Sequence, residues 1–145
     1  MRLRLAIEPI PQSTWGRSLA QLLPKKEWDK LRHQAYKEVD YKCEVCGEMT
    51  LPLHLHEQWS FEMKTSIQRL IGLEVCCELC HAVHHFGFSK ETKTKAYVER
   101  LIRHWCKVNE KQPKDFRLHE AETFEINKKR ANKYFVVKVG RRILV

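Results

Sequence analysis

Glycine and proline are scarce in this sequence, five of each in 145 residues, and neither clusters. That excludes the low-complexity and Pro- or Gly-rich classes. No run approaches the roughly 18 apolar residues of a membrane span, so no membrane partner is expected. The opening RLRLAIE has no apolar stretch long enough for a secretory signal, and a reducing, cytoplasmic location follows as the expectation. No internal repeat or linker-like stretch divides the chain, whose length suits one domain over 1–145. Acidic side chains are also short, 18 against 27 Lys and Arg, for a net charge of +9. An excess of that size favours a polyanionic partner, nucleic acid first.

Hydrophobic residues, by contrast, make up 43% and charged residues 31%, so a packed core is expected rather than global disorder. Residues 2–7 alternate and read as a short strand ended by Pro9 and Pro11, with Trp15 as an anchor in the irregular stretch that follows. Pro24 suits a first helical residue. Trp28, Leu31, Ala35, Tyr36 and Val39 then share one face of a helix whose other face carries Lys25, Lys26, Lys30, Arg32 and Lys37. LPLHLH (51–56) reads as a strand with its leucines on one side. Residues 60–69 are mostly polar. A helix is expected from Cys80 with Gly87 as its stop, another over 89–109 and a weaker one over 114–131. The C-terminus predicts one or two strands turning near Gly140. Trp105 is assigned to the core, and Trp59 and Phe61 to the core rather than to base stacking.

Six cysteines in a reducing setting need a role other than disulfides. Cys43-x-x-Cys46 and Cys77-x-x-Cys80 are two knuckles that each point a pair of sulfurs inward, the usual construction for one tetrahedral, structural Zn²⁺. Gly47 suits the first turn. The 30 residues between the knuckles exceed ordinary zinc-ribbon spacing, so an insertion is expected there. Cys76 and Cys106 are assigned to the core.

Directly behind Cys80, His81 and His85 lie one helical turn apart, with His84 near the same face. In the strand, His54 and His56 share the side away from the leucines. A strand histidine packed against this helix would complete a three-nitrogen site with open coordination positions.

CxxCG, a strand with histidine, then CxxCHxxxH resembles the HNH endonucleases of the ββα-metal (His-Me finger) superfamily. The match is firm over 27–88 and looser toward the C-terminus. The resemblance implies an α+β fold: a ββα-metal core (about 41–88) stapled by the four-cysteine zinc site. An N-terminal strand and helix (1–40) and C-terminal helices and a β hairpin (89–145) flank it. It further implies hydrolysis of DNA phosphodiesters around one divalent ion (Mg²⁺, Mn²⁺, Ni²⁺ or Zn²⁺) held by His56, His81 and His85.

The strand departs from the family pattern. Members often place a ligand and a base histidine side by side. Here His56, ten residues after Cys46, takes the ligand place and Glu57 the base place, while strand parity turns Glu57 away. The base is therefore His54, Glu57 or absent, and the family's middle asparagine is missing, with Gly72 near its place. A non-catalytic, zinc-stabilised nucleic-acid-binding module is the alternative, and a pure interaction protein a third class. DNA contacts are expected from Lys90, Lys93 and Lys95, from Lys128, Lys129, Arg130 and Lys133, and from Arg141 and Arg142. The sequence is silent on oligomeric state.

Overall fold

A ten-residue strand, β1 (Leu53–Glu62), turns back into β2 (Ile67–Cys77) as an antiparallel pair, and this hairpin is the insertion between the two cysteine knuckles. The computed structural model describes residues 2–140 and the backbone of 142–144. β3 (Val136–Val139) runs parallel to β2, and β4 (Arg142–Leu144) pairs antiparallel with β3, giving the order β1-β2-β3-β4. The expected C-terminal hairpin is thus present, turning at Gly140, whose φ of 59° suits a residue without a side chain. The predicted DNA contacts Arg141 and, for its side chain, Arg142 lie outside the described residues.

Among the described residues six α-helices accompany this sheet in a small α+β domain: α1 (Leu19–Leu22), α2 (Lys25–Glu38), α3 (Glu78–His84), α4 (Phe86–Thr92), α5 (Lys95–Asn109) and α6 (Pro113–Arg130). Among the described residues no helix is long and apolar enough to cross a membrane.

Period-two alternation decides which face of the hairpin meets what. Leu53, Leu55 and Val75 point to one side and bury with Tyr36 under α2, against Trp28, Leu31, Ala35 and Val39. The Tyr36 hydroxyl donates to the Leu53 carbonyl at 3.0 Å, which fixes α2 along β1. The other side carries His54, His56, Glu74 and Cys76, paired across the strands as His54 with Cys76 and His56 with Glu74. A second core lies on that side, where α3, α4, α5 and α6 bury Val83, Phe86, Leu101, Trp105 and Phe116. Trp105 and Phe116 meet edge to face at 5.3 Å.

The polar stretch 60–69 is strand on both sides of a short turn, because Ser60 and Phe61 pair with Arg69 and Gln68. The register shifts between Gln58 and Trp59, opposite Gly72. A Cβ at Gly72 would collide with the Gln58 side-chain oxygen, so glycine here makes room for a crossing side chain rather than replacing a catalytic asparagine.

Three expectations are corrected. The N-terminal strand does not form. Residues 2–8 are irregular, with a bend at Arg4 and Leu5, and their donors go to side chains and helix ends: Arg4 and Leu5 N–H to Asn109 Oδ1 (2.8 and 3.1 Å), Ile7 N–H to His119 Nε2 (2.9 Å) and Glu8 N–H to the His84 carbonyl (2.9 Å). Trp15 is no anchor; it is 61% exposed, its indole N–H donating to the Ile10 carbonyl. Gly87 does not stop the helix but lies inside α4. The break falls at His85 (ψ 44°), where the Ser89 hydroxyl caps the Ala82 carbonyl at 3.0 Å.

Candidate metal centres

The four knuckle cysteines come together, each with its sulfur within 4.8 Å of the others. In each knuckle the second cysteine's N–H donates to the first cysteine's sulfur at 3.5 Å (Cys46 to Cys43, Cys80 to Cys77). Gly47, at φ +80°, lets its N–H return to the Cys43 carbonyl. Glu44 ties the two knuckles: its N–H donates to the Val75 carbonyl, and its carboxylate accepts from Val75 N–H at 2.7 Å. A tetrahedron with metal–sulfur bonds of about 2.3 Å has edges of about 3.8 Å, and Cys46 Sγ and Cys77 Sγ lie 3.8 Å apart. This geometry can hold a metal ion. Hydrogen bonds from the Cys77 and Cys80 thiols hold the Cys43 thiol far below its ordinary range, and the same bonds push the Cys77 and Cys80 thiols up, so negative charge is favoured at Cys43. His104, from α5, brings Nε2 to 3.1 Å from Cys80 Sγ. Cys76 is fully buried, and its thiol, pushed up by burial and by Glu74, bonds the Glu74 carboxylate at 3.1 Å.

One helical turn further on, His81 and His85 face His56 across the α3–β1 interface, and these three imidazoles form a second group with ligand atoms within 4.8 Å. Ring centroids separate His56 from His81 by 5.5 Å and from His85 by 5.2 Å. Burial, then the charge of the neighbouring histidines, lowers His81 to about 2 and His85 to about 4. Both are therefore kept neutral, the form a metal ligand requires. His54 stacks on His81 at 4.7 Å, and among the described residues its buried Nε2 has no hydrogen-bond partner.

His84 turns the other way. Its Nδ1 lies 2.8 Å from both the Ala6 carbonyl and Glu8 Oε2, and its Nε2 lies 2.9 Å from Glu74 Oε1. Burial disfavours its charge, but the bonds to Glu74 and Glu8 prevail and raise it to about 10. The same bonds, with one from His56, outweigh burial at Glu8 and hold it down to about 2.

Glu57, the other base candidate, points away from these imidazoles. Its Oε1 accepts from the Leu19 N–H at 2.6 Å and its Oε2 from the Trp59 indole at 3.4 Å. Burial raises its pKa despite the Leu19 bond.

His54, His81 and His85 open onto a groove of about 1060 Å³, with Glu57 elsewhere in its wall. Five glutamates line it (Glu8, Glu57, Glu78, Glu91 and Glu120) against Arg17, Lys90 and Lys93. The basic excess of the chain therefore lies outside this groove. Of the predicted DNA contacts, Lys90 pairs with Glu120 at 2.9 Å, Lys93 and Lys95 are exposed, and Lys128 pairs with Glu125 at 3.4 Å. Lys129 is exposed, whereas Arg130 is half-buried over the Phe61 ring, donating to the Pro9 carbonyl. Lys133 donates to the Met63 carbonyl at 2.8 Å.

Sequence reasoning missed Glu8, Glu74 and His104. Glu74 alone carried a signal, since it shares strand parity with Cys76; the other two come from segments whose local pattern says nothing of a site. No protein-family model, curated protein or solved structure compared with the chain matches it.

Proposed function

We propose that this chain is a metal-dependent endonuclease of the HNH, ββα-metal type that hydrolyses DNA phosphodiesters. The observation that carries the reading is the convergence of His56, from a strand, with His81 and His85, from the helix that directly follows its hairpin partner. Two antiparallel strands and a helix bring three imidazoles together, and this supports the arrangement that the resemblance implies. The four-cysteine cluster at the start of α3 fits a structural Zn²⁺, whose four-thiolate preference it matches.

His56, His81 and His85 would hold the second, divalent ion. Bound there, such an ion supplies positive charge against the phosphate and the leaving 3′ oxygen. The groove's own carboxylates oppose a phosphate, so added positive charge at this point answers a need of the site. The chain's own proton acceptor in this reading is His54: among the described residues its Nε2 is unpartnered, and its ring stacks on His81. A water oxygen bonds to phosphorus as the phosphorus–O3′ bond breaks; the water's proton passes to His54 Nε2, and the departing oxygen takes a proton from solvent. Glu57 serves α1 instead.

Plasmid cleavage with Mg²⁺, Mn²⁺, Ni²⁺ or Zn²⁺, against His81→Ala, tests this. Metal-dependent nicking or linearisation by the wild-type protein alone is expected. Equal cleavage by both proteins, or none under any metal, defeats the proposal.

One observation favours a second reading. The place where the family carries its base is taken by Glu57, committed to the Leu19 N–H. A zinc-stabilised nucleic-acid-binding module without turnover needs no base there, and its signature is salt-dependent DNA binding without hydrolysis.

A further inference from the structure

We propose that Glu8 is the positioning residue of the three-histidine centre: delivered by the N-terminal segment and clamped by His84, it holds His56 by Nε2 and leaves Nδ1 for the ion. This rests on the reading of His56, His81 and His85 as ligands.

His56 is 2% exposed, so water cannot satisfy its ring N–H. Among the described residues its hydrogen-bond partner is Glu8, with Oε2 at 2.5 Å from Nε2. A ligating imidazole needs its second nitrogen committed to an acceptor, which fixes both the tautomer and the ring plane. A carboxylate is the strongest such acceptor and also makes the imidazole a better donor to a cation.

The placement of Glu8 is over-determined. Leu5 and Ile7 are buried on either side of Ala6. Asn109 of α5 grips the segment through Oδ1, and its Nδ2 donates to the Leu5 carbonyl at 2.8 Å. His119 of α6 accepts from Ile7, and the His84 carbonyl of α3 accepts from Glu8. Three helices thus set one carboxylate, and the segment forms no strand because its donors are spent on that task.

His84 supplies the clamp. It reaches Ala6 and Glu8 through Nδ1 and Glu74 through Nε2, and its ring stacks on His56 at 4.2 Å with a 7° interplanar angle. Both nitrogens of His84 are thus engaged by oxygen atoms, Nδ1 by Ala6 and Glu8 and Nε2 by Glu74. This is why the adjacent histidines His84 and His85 have opposite duties.

The test is made on the full chain with its cysteine cluster loaded with Zn²⁺, titrating Co²⁺ or Ni²⁺ into the second site by calorimetry and visible absorption. The wild-type protein is expected to take one further ion and His81→Ala to lose it. Glu8→Gln keeps the stoichiometry but binds about 10- to 100-fold more weakly, and Glu8→Asp recovers part of the loss. A Glu8→Gln affinity equal to wild type, while His81→Ala is weakened, overturns the role of Glu8 and leaves the centre standing. No further ion in wild type overturns both. Imidazole nitrogen NMR of the unsubstituted protein, with diamagnetic Zn²⁺ at both sites, needs no variant to fold: His56 protonated at Nε2 and ligated at Nδ1 is expected, and ligation through Nε2 refutes the proposal.

Discussion

Nε2 of His104, on α5, lies 3.1 Å from Sγ of Cys80, on α3. The contact joins the cysteine cluster to the helix that carries Trp105, so the geometry of the cluster and the packing of the core are linked. An N–H donated to a ligating sulfur steadies it as a thiolate. His104→Ala is expected to keep one ion per cluster and to bind it about 10-fold or more weakly, measured by competition with a chromogenic chelator. Cys43→Ala should lose the ion altogether, and its fold with it. An unchanged affinity in His104→Ala would show the contact to be idle.

The tryptophan read as an anchor and the one assigned to the core separate sharply. Trp105 is 0% exposed and Trp15 61%. Trp105→Ala is expected to destabilise the protein by about 3–5 kcal/mol, and Trp15→Ala by less than about 0.5 kcal/mol. Urea unfolding followed by far-UV circular dichroism measures both.

Glu57 and His54 are also separable. Glu57→Gln removes a charged acceptor from the Leu19 N–H and is expected to cost about 1 kcal/mol of stability while leaving any DNA cleavage within a few-fold. His54→Ala should keep the fold and lower cleavage by roughly 100-fold or more, the scale of a general base. The reverse pattern would move the base to Glu57.

His119 sets an acid sensitivity. Its Nε2 accepts from the Ile7 N–H at 2.9 Å, and burial lowers its pKa below 6.5. Below pH 6.5 the unfolded chain therefore binds more protons at this residue than the folded one. The stability from His119 is complete above 6.5 and is lost as pH falls toward the folded value. The stability difference between wild type and His119→Ala should thus be widest above pH 6.5 and shrink in acid. A difference that grows in acid would contradict the assignment.

Lys128 and Lys129, exposed at the end of α6, are candidates for phosphate contact outside the acidic groove. If both touch DNA, replacing them with Ala lowers the slope of log affinity against log salt by about 2, one per contact. Fluorescence anisotropy with a labelled duplex reads this. An unchanged slope would place the DNA elsewhere.

Much of both candidate sites was legible because their geometry is local. A CxxC knuckle is a single turn, so Cys43 with Cys46, and Cys77 with Cys80, declare themselves by spacing. His81 and His85 do so by the helical repeat, and His56 by strand alternation against Leu53 and Leu55. Alternation also turned Glu57 away from His56, and the structure gives it a use at α1. The failures share another cause. Residues 2–7 alternate like a strand, yet no strand edge receives them; Asn109, His119 and His84 do. The break at His85 rather than Gly87 comes from a serine hydroxyl that no helix-stop rule counts.

The sequence by itself determined the candidate ligands: two cysteine pairs, a helical histidine pair and a strand histidine, each written in a local repeat of two to four residues. Only the tertiary structure decided what surrounds them. Glu8 meets His56 across 48 positions and His104 meets Cys80 across 24. Nothing local specifies such contacts, because they depend on where the N-terminal segment and α5 are carried when the core around Trp105 and Phe116 closes.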